Sequence, residues 1–173
     1  MAAKSVRFAA LAGALMLAAC AGQETTPVPG QPSFYQSMAR PGAVLDTAAA
    51  ASMVSGYRRN NGLDPVAIDP ELTRLAQEQA QAMARRDKLD HNLIRPFPAR
   101  LKASGYRAAG AAENIGAGYH TLAEAFSGWR DSPPHRANMQ LRGATRMGIA
   151  AVYAPTSKYK VYWSMILAVP DKD

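Results

Sequence analysis

Leu45, Ala49, Met53 and Tyr57 recur at helical spacing, and Asn60-Asn61-Gly62 ends the pattern. The next segment is the most fully marked. Asp69 stands at an N-cap position, Pro70 at the first helical position and Glu71 at the positive end of the dipole. Leu72, Leu75, Ala76, Ala80 and Met83 then line one face, with Arg85, Arg86 and Lys88 towards the C-terminal end. A short third helix is expected from Pro98 to Ser104, stopping at Gly105. Thr121 and Glu124 have capping-box spacing and open a helix that buries Leu122, Phe126 and Trp129. Ser132-Pro133-Pro134 breaks that helix, and Ser132 is expected to cap a short one carrying His135 and Met139.

The period then changes. Arg146 to Tyr153 and Tyr159 to Val169 are rich in β-branched and aromatic residues and flank Ala154-Pro155-Thr156-Ser157-Lys158, which predicts an antiparallel hairpin. In the second strand Val161, Trp163 and Met165 alternate with Tyr162, Ile166 and Ala168, so both faces are apolar and both need cover. The expected fold class is therefore α+β, a three-layer α/β/α sandwich with a small antiparallel sheet between helices.

The first forty residues follow a different logic. Lys4 and Arg7 precede an apolar stretch from Phe8 to Ala19 that is too short to span a bilayer but suits a secretory signal. It ends in Leu17-Ala18-Ala19-Cys20, the layout of a bacterial lipobox, in which Cys20 is lipidated and becomes the mature N-terminus. Residues 1–19 are thus expected as a lipoprotein signal peptide and 20–43 as the lipidated Cys and a Pro/Gly/Thr tether. The folded domain is expected over 44–170, with a tail over 171–173. A tether of that length reaches about 25 Å.

The 173 residues carry a formal charge of +7 and one Cys, which excludes an intramolecular disulfide framework. Cleavage before Cys20 leaves 154 residues with 18 Lys and Arg against 13 Asp and Glu, a surplus of five. The cations are scattered, which argues against nucleic acid as a partner and suits a solvated surface near anionic headgroups. The membrane, reached through the lipid anchor, is the expected partner, and the domain is expected to be monomeric. Ala21 after Cys20 suits transport to the periplasmic face of the outer membrane, if the cell is Gram-negative.

Only His91, His120 and His135 are available to a site built on imidazole. Around them Asp90-His91, Gly105-Tyr106, Ala112-Glu113-Asn114-Ile115, Trp129, Ser132-Pro133-Pro134-His135-Arg136-Ala137-Asn138 and Met147-Gly148-Ile149 occur in order with short gaps, closed by the Trp163 strand. This series resembles the bacterial branch of the CAP superfamily (cysteine-rich secretory proteins, antigen 5 and plant pathogenesis-related proteins), also called the SCP domain, over roughly Leu45 to Val169. The resemblance implies an α/β/α sandwich with a central cleft lined by two His and up to two Glu, where some members bind a divalent metal such as Zn2+. It maps the imidazoles to His91 and His135 and one carboxylate to Glu113. The second carboxylate would follow Trp129 by three positions, where this chain has Ser132.

Two His, one Glu and an open position would form a catalytic-type zinc site. The same three residues also suit a structural cluster in which Glu113 accepts hydrogen bonds from both imidazoles. Ser132 and His135, three apart, share a helix face as a nucleophile and base would, yet Ser before Pro-Pro is more economically a cap, with no separate acid or oxyanion loop. His120 reads as a loop residue at a helix entrance. Asn114 and Asn138 suit hydrogen bonding to backbone around the cleft. Tyr119, like Tyr57 and Tyr106, is either a groove residue or packed with its hydroxyl at the surface. Gly110, Gly116 and Gly118 lack phosphate-loop spacing and suit tight turns beside the cleft.

Three functions stay open at this point. One is an envelope binding module for a small hydrophobic or envelope-derived ligand or a partner protein, since the family includes lipid and sterol binders. The second is a metal-dependent hydrolase with Glu113 as ligand or general base. The third is a purely structural envelope protein.

Overall fold

The computed structural model describes residues 30–171. The signal segment, Cys20, the start of the tether and the last two tail residues lie outside them. A 3-10 turn at Ser33–Tyr35 leads into α1 (Thr47–Asn60), β1 (Ala67–Ile68), α2 (Pro70–Arg86) and α3 (Phe97–Ala103). Then follow β2 (Ala108–Ala117), α4 (Leu122–Asp131), α5 (Pro133–Met139), β3 (Arg146–Tyr153) and β4 (Val161–Pro170). The sheet order is β1-β3-β4-β2; β1 runs parallel to β3, while β3–β4 and β4–β2 are antiparallel.

Strand β4 explains the layering. Every residue from Val161 to Ala168 is buried. Val161, Trp163, Met165 and Leu167 pack with Ala50 and Val54 of α1, Leu122, Ala125 and Trp129 of α4, and Met139 of α5. On the other side Ile166 and Ala168 pack with Leu72, Leu75, Ala76 and Ala80 of α2. The expected α+β sandwich is the observed one.

Helix α2 begins where the sequence places it. The Asp69 carboxylate accepts from the N–H groups of Glu71 (2.9 Å) and Leu72 (3.1 Å), and its second oxygen accepts from Tyr106 Oη at 2.9 Å. The first turn sits directly on β3 because position 148 is glycine: a Cβ there would stand 2.1 Å from the carbonyl carbon of Leu72. The Thr121–Glu124 capping box of α4 is complete, and α3 runs one residue earlier than expected, with Gly105 at φ +76° behind it.

Four features differ from the sequence reading. The buried face of α1 is Ala50, Val54 and Arg58; Ala49, Met53 and Tyr57 form its half-buried rim, and Leu45 precedes the helix. The rotation follows from Arg58, which is fully buried and donates to the carbonyls of Asp64 (2.8 Å), Met139 (2.8 Å), Leu141 (3.0 Å) and Ala144 (2.8 Å). One guanidinium thus satisfies the end of α5 and the turn into β3. Residues 108–117, where the sequence pattern predicts no element, form the edge strand β2. Of Gly110, Gly116 and Gly118, expected in tight turns, only Gly118 has positive φ; the other two lie within the strand. The carbonyls of Glu113 and Ile115 accept from Asn138 Nδ2 (3.1 Å) and Trp129 Nε1 (3.0 Å), so side chains cover an edge that would otherwise be open.

The fourth difference is where packing begins. Met38 is buried in the main core, its N–H donates to the His120 carbonyl, and Phe34 packs on the same cluster. The folded part therefore starts near Ser33, ahead of the expected boundary at residue 44. His120 itself is exposed at the entrance of α4, as expected for a loop residue.

Candidate active cleft

The site is built around the carboxylate of Glu113. It projects from β2 towards the layer formed by α2 and α3, on the same side of the sheet as Ser164, whose Oγ stands 3.4 Å from its Oε1. Arg100 of α3 grips both oxygens through Nη2, at 2.8 and 2.9 Å, and its Nε donates to the Arg95 carbonyl at 3.2 Å. His91, in the loop between α2 and α3, places Nδ1 2.8 Å from Oε2. Glu113 and Arg100 are closed to solvent, at 1% and 4% side-chain exposure, while the His91 side chain is 45% exposed. A carboxylate only accepts, so Nδ1 of His91 carries the proton and Nε2 is the atom left for anything outside.

The same loop is held from behind by Gln79 of α2, whose Nε2 donates to the Asp90 carbonyl at 2.8 Å. Leu89 and Ile94 stand exposed on either side of His91. The loop that carries the imidazole thus also exposes two aliphatic side chains.

His135 occupies the other layer, on α5. Its Nδ1 lies 2.9 Å from Ser132 Oγ, and burial, followed by the charge of His91, pushes it below the ordinary histidine range. Glu113 therefore accepts from His91 and Arg100, not from both imidazoles. Ser132 stands at the N-cap of α5 but its side chain caps nothing. Pro134 removes one of the two N–H groups that a cap at this position would bond, and the hydroxyl lies against the imidazole instead.

Asn114 Nδ2 donates to the His135 carbonyl at 3.0 Å, and Asn138 Nδ2 donates to Asn114 Oδ1 at 2.9 Å as well as to the Glu113 carbonyl. Both asparagines thus hold backbone, and they tie α5 to β2. Tyr119 packs over Gly116 and Gly128, where a Cβ would come within 2.2 Å of its hydroxyl, and its carbonyl accepts from Trp163 Nε1 at 2.8 Å. It hydrogen-bonds none of His91, Glu113 and His135.

The donor set can be tested against a divalent metal. Among the described residues no group of three or more His, Cys, Asp or Glu is arranged to hold one. Glu113 is committed to a guanidinium, and Arg100 Nη1 is a further buried cationic N–H without a hydrogen-bond partner. A cation at this carboxylate would have to displace or face that charge. The residues do not fit a three-ligand zinc centre, and what they offer is the half-exposed His91 imidazole on a loop that also exposes Leu89 and Ile94. Arg100 escaped the sequence reading because nothing separates a buried Arg on a short helix from a solvated one until its partner is known.

Comparison with known proteins bears on the fold. The model of the cysteine-rich secretory protein family, CAP, matches residues 51–167. A Bacillus subtilis protein, the uncharacterized YkwD, is 31% identical over 120 residues, covering 61% of this chain and 46% of that protein. The chain therefore spans less than half the length of this relative. The structure of an extracellular protein containing an SCP domain from Bacillus anthracis superposes with a TM-score of 0.61 at 20% identity, over 70% of this chain and 39% of that one. An outer surface protein of Borrelia burgdorferi gives 0.65 at 17% identity, over 73% and 93%. Likeness at these identities is a likeness of fold. Among the described residues no helix is long and apolar enough to cross a membrane.

Proposed function

This chain belongs to the cysteine-rich secretory protein family, and on that footing we propose that it is an exported, lipid-anchored binding module of the cell envelope, taking a small apolar or envelope-derived ligand at the His91 cleft. The observation that carries this reading is the pairing of Glu113 with Arg100 at 2.8 and 2.9 Å. That pairing removes the carboxylate which a metal-dependent hydrolase would use as ligand or general base. What remains is His91 on a loop that also exposes Leu89 and Ile94, side chains suited to apolar contact with one polar anchor. Export and anchoring rest on the lipobox-like Leu17-Ala18-Ala19-Cys20, and the relatives described as extracellular and outer-surface proteins support export.

The test uses the apolar anion 1-anilinonaphthalene-8-sulfonate as probe. The folded chain should show saturable one-to-one fluorescence enhancement, lost in Leu89→Ser/Ile94→Ser without a change in unfolding midpoint. Enhancement that never saturates, or that survives in the variant, would remove the cleft from the account. Intact mass of the membrane-extracted protein checks the anchor, which predicts a diacylglyceryl adduct at Cys20.

A further inference from the structure

A second apolar feature lies on the opposite layer from the loop that joins α2 to α3. Ala49, Ser52, Met53 and Gly56, at spacings of three, four and seven, form one face of α1. Pro32, Ser33 and Phe34 lie against that face and complete an open groove of about 510 Å³ with it. Ser33 Oγ donates to Asp46 Oδ2 at 2.7 Å, which fixes the 3-10 turn to the start of α1. Tyr35 (51% exposed) and Val44 (84%) flank these two anchored residues, and they are half of the large hydrophobic side chains exposed among the described residues. The other two, Leu89 and Ile94, lie on the loop that carries His91.

The position of this patch on the chain decides what covers it. Only residues 21–29 separate Cys20 from Gly30, the first described residue, and nine residues span at most about 32 Å. The chain then enters the domain at Pro32, which itself lines the groove. If Cys20 carries the lipid, the patch is the part of the domain held nearest the bilayer, at a high effective concentration that makes even a weak contact count. Its charges are few: Arg40 is the one cation between Gly30 and Thr47, and Asp46 is committed to Ala49 N and Ser33. Recognition here is by apolar side chains, not by charge.

We propose that the face formed by Tyr35, Val44 and the groove between the 3-10 turn and α1 rests on the lipid bilayer, with Tyr35 and Val44 entering the headgroup region. Tyrosine suits that depth, with an apolar ring and a polar tip. The loop carrying Leu89, His91 and Ile94 then points away from the membrane, open to ligand from the aqueous side. This inference rests on the anchored reading proposed above.

The sequence supplies a clean probe. Cys20 is the sole cysteine and is consumed by the lipid, so Val44→Cys or Ile94→Cys creates a single reactive thiol. Each lipidated variant is labelled with a nitrobenzoxadiazole dye and reconstituted into vesicles, either of phosphatidylcholine alone or of phosphatidylethanolamine and phosphatidylglycerol at 7:3. The dye at position 44 should shift to the blue, and spin-labelled lipid in the bilayer should quench it at least threefold more than the dye at position 94. Both vesicle types should give the same result, and the contrast should persist in 0.5 M salt. Equal, water-like behaviour at the two positions overturns the proposal, as does a contrast confined to the anionic vesicles at low salt. Intact mass before labelling separates the premise: a chain without lipid on Cys20 overturns the anchored reading itself, and this inference with it.

Discussion

Replacing Arg100 by Met tests whether Glu113 and Arg100 act as one unit. The substitution leaves a carboxylate at 1% exposure with His91 and a distant Ser164 hydroxyl as its remaining partners. Stranding one member of a buried ion pair costs about 3–5 kcal/mol. For a domain of this size that is about 10 °C in Tm, at about 2–4 °C per kcal/mol. Glu113→Leu strands the guanidinium instead and should cost a similar amount. The double variant Arg100→Met/Glu113→Leu removes both charges and fills their space with apolar atoms. It should be at least about 2 kcal/mol more stable than either single variant, because no unpaired charge remains. Urea unfolding followed through Trp129 and Trp163, both buried, reads all four proteins. A double variant that loses the sum of the two single losses would refute the reasoning, since the two residues would then contribute independently.

Further expectations follow from other parts of the structure. His135 lies below its ordinary value, so the folded state takes its proton less readily than the unfolded chain; its contribution is complete above about pH 6.5 and declines as pH falls through that value. His135→Gln should flatten the fall in urea midpoint between pH 8 and pH 5.5, and an unchanged slope would assign the dependence elsewhere. Arg58→Lys keeps the charge but cannot reach four carbonyls with a planar fork, and should cost about 3 kcal/mol in chemical denaturation. A loss below about 1 kcal/mol would mean that the fork is dispensable. Gly148→Ala drives a methyl into the backbone of Leu72 and Thr73 and should cost about 3 kcal/mol or more, whereas Gly110→Ala meets only Val169 Cγ2 at 3.7 Å and should be near neutral. Comparable losses at the two glycines would contradict the close approach of α2 to β3.

The readable parts of the fold are those where local chemistry and tertiary demand agree. Asp69, Pro70 and the Leu72–Met83 face announce α2 because the cap, the fixed φ and the apolar stripe all act within one segment. The β4 strand is legible because apolar residues on both faces require cover on both sides. β2 is illegible for the opposite reason: Ala108-Ala-Gly-Ala-Ala carries no β-branched residue, and pairing with β4 imposes the strand. Arg58 and Arg100 are invisible as core residues because charge is read as solvent-facing, and only long-range partners reverse that. In the cleft, the sequence and the family resemblance single out His91, Glu113 and His135. They do not show that Glu113 turns to Arg100, whereas the three-residue spacing of Ser132 and His135 does announce the contact between them.

The central claim is that Glu113 belongs to Arg100 and leaves no three-ligand metal site. Calorimetric titration of zinc into the chain from Ala21 onward, which keeps every element described, tests it most directly. The account predicts no one-to-one binding tighter than about 10 µM, because two imidazoles without a carboxylate form an incomplete ligand set. One-to-one binding at micromolar affinity or tighter, abolished by His91→Ala/His135→Ala in a folded protein, would contradict it.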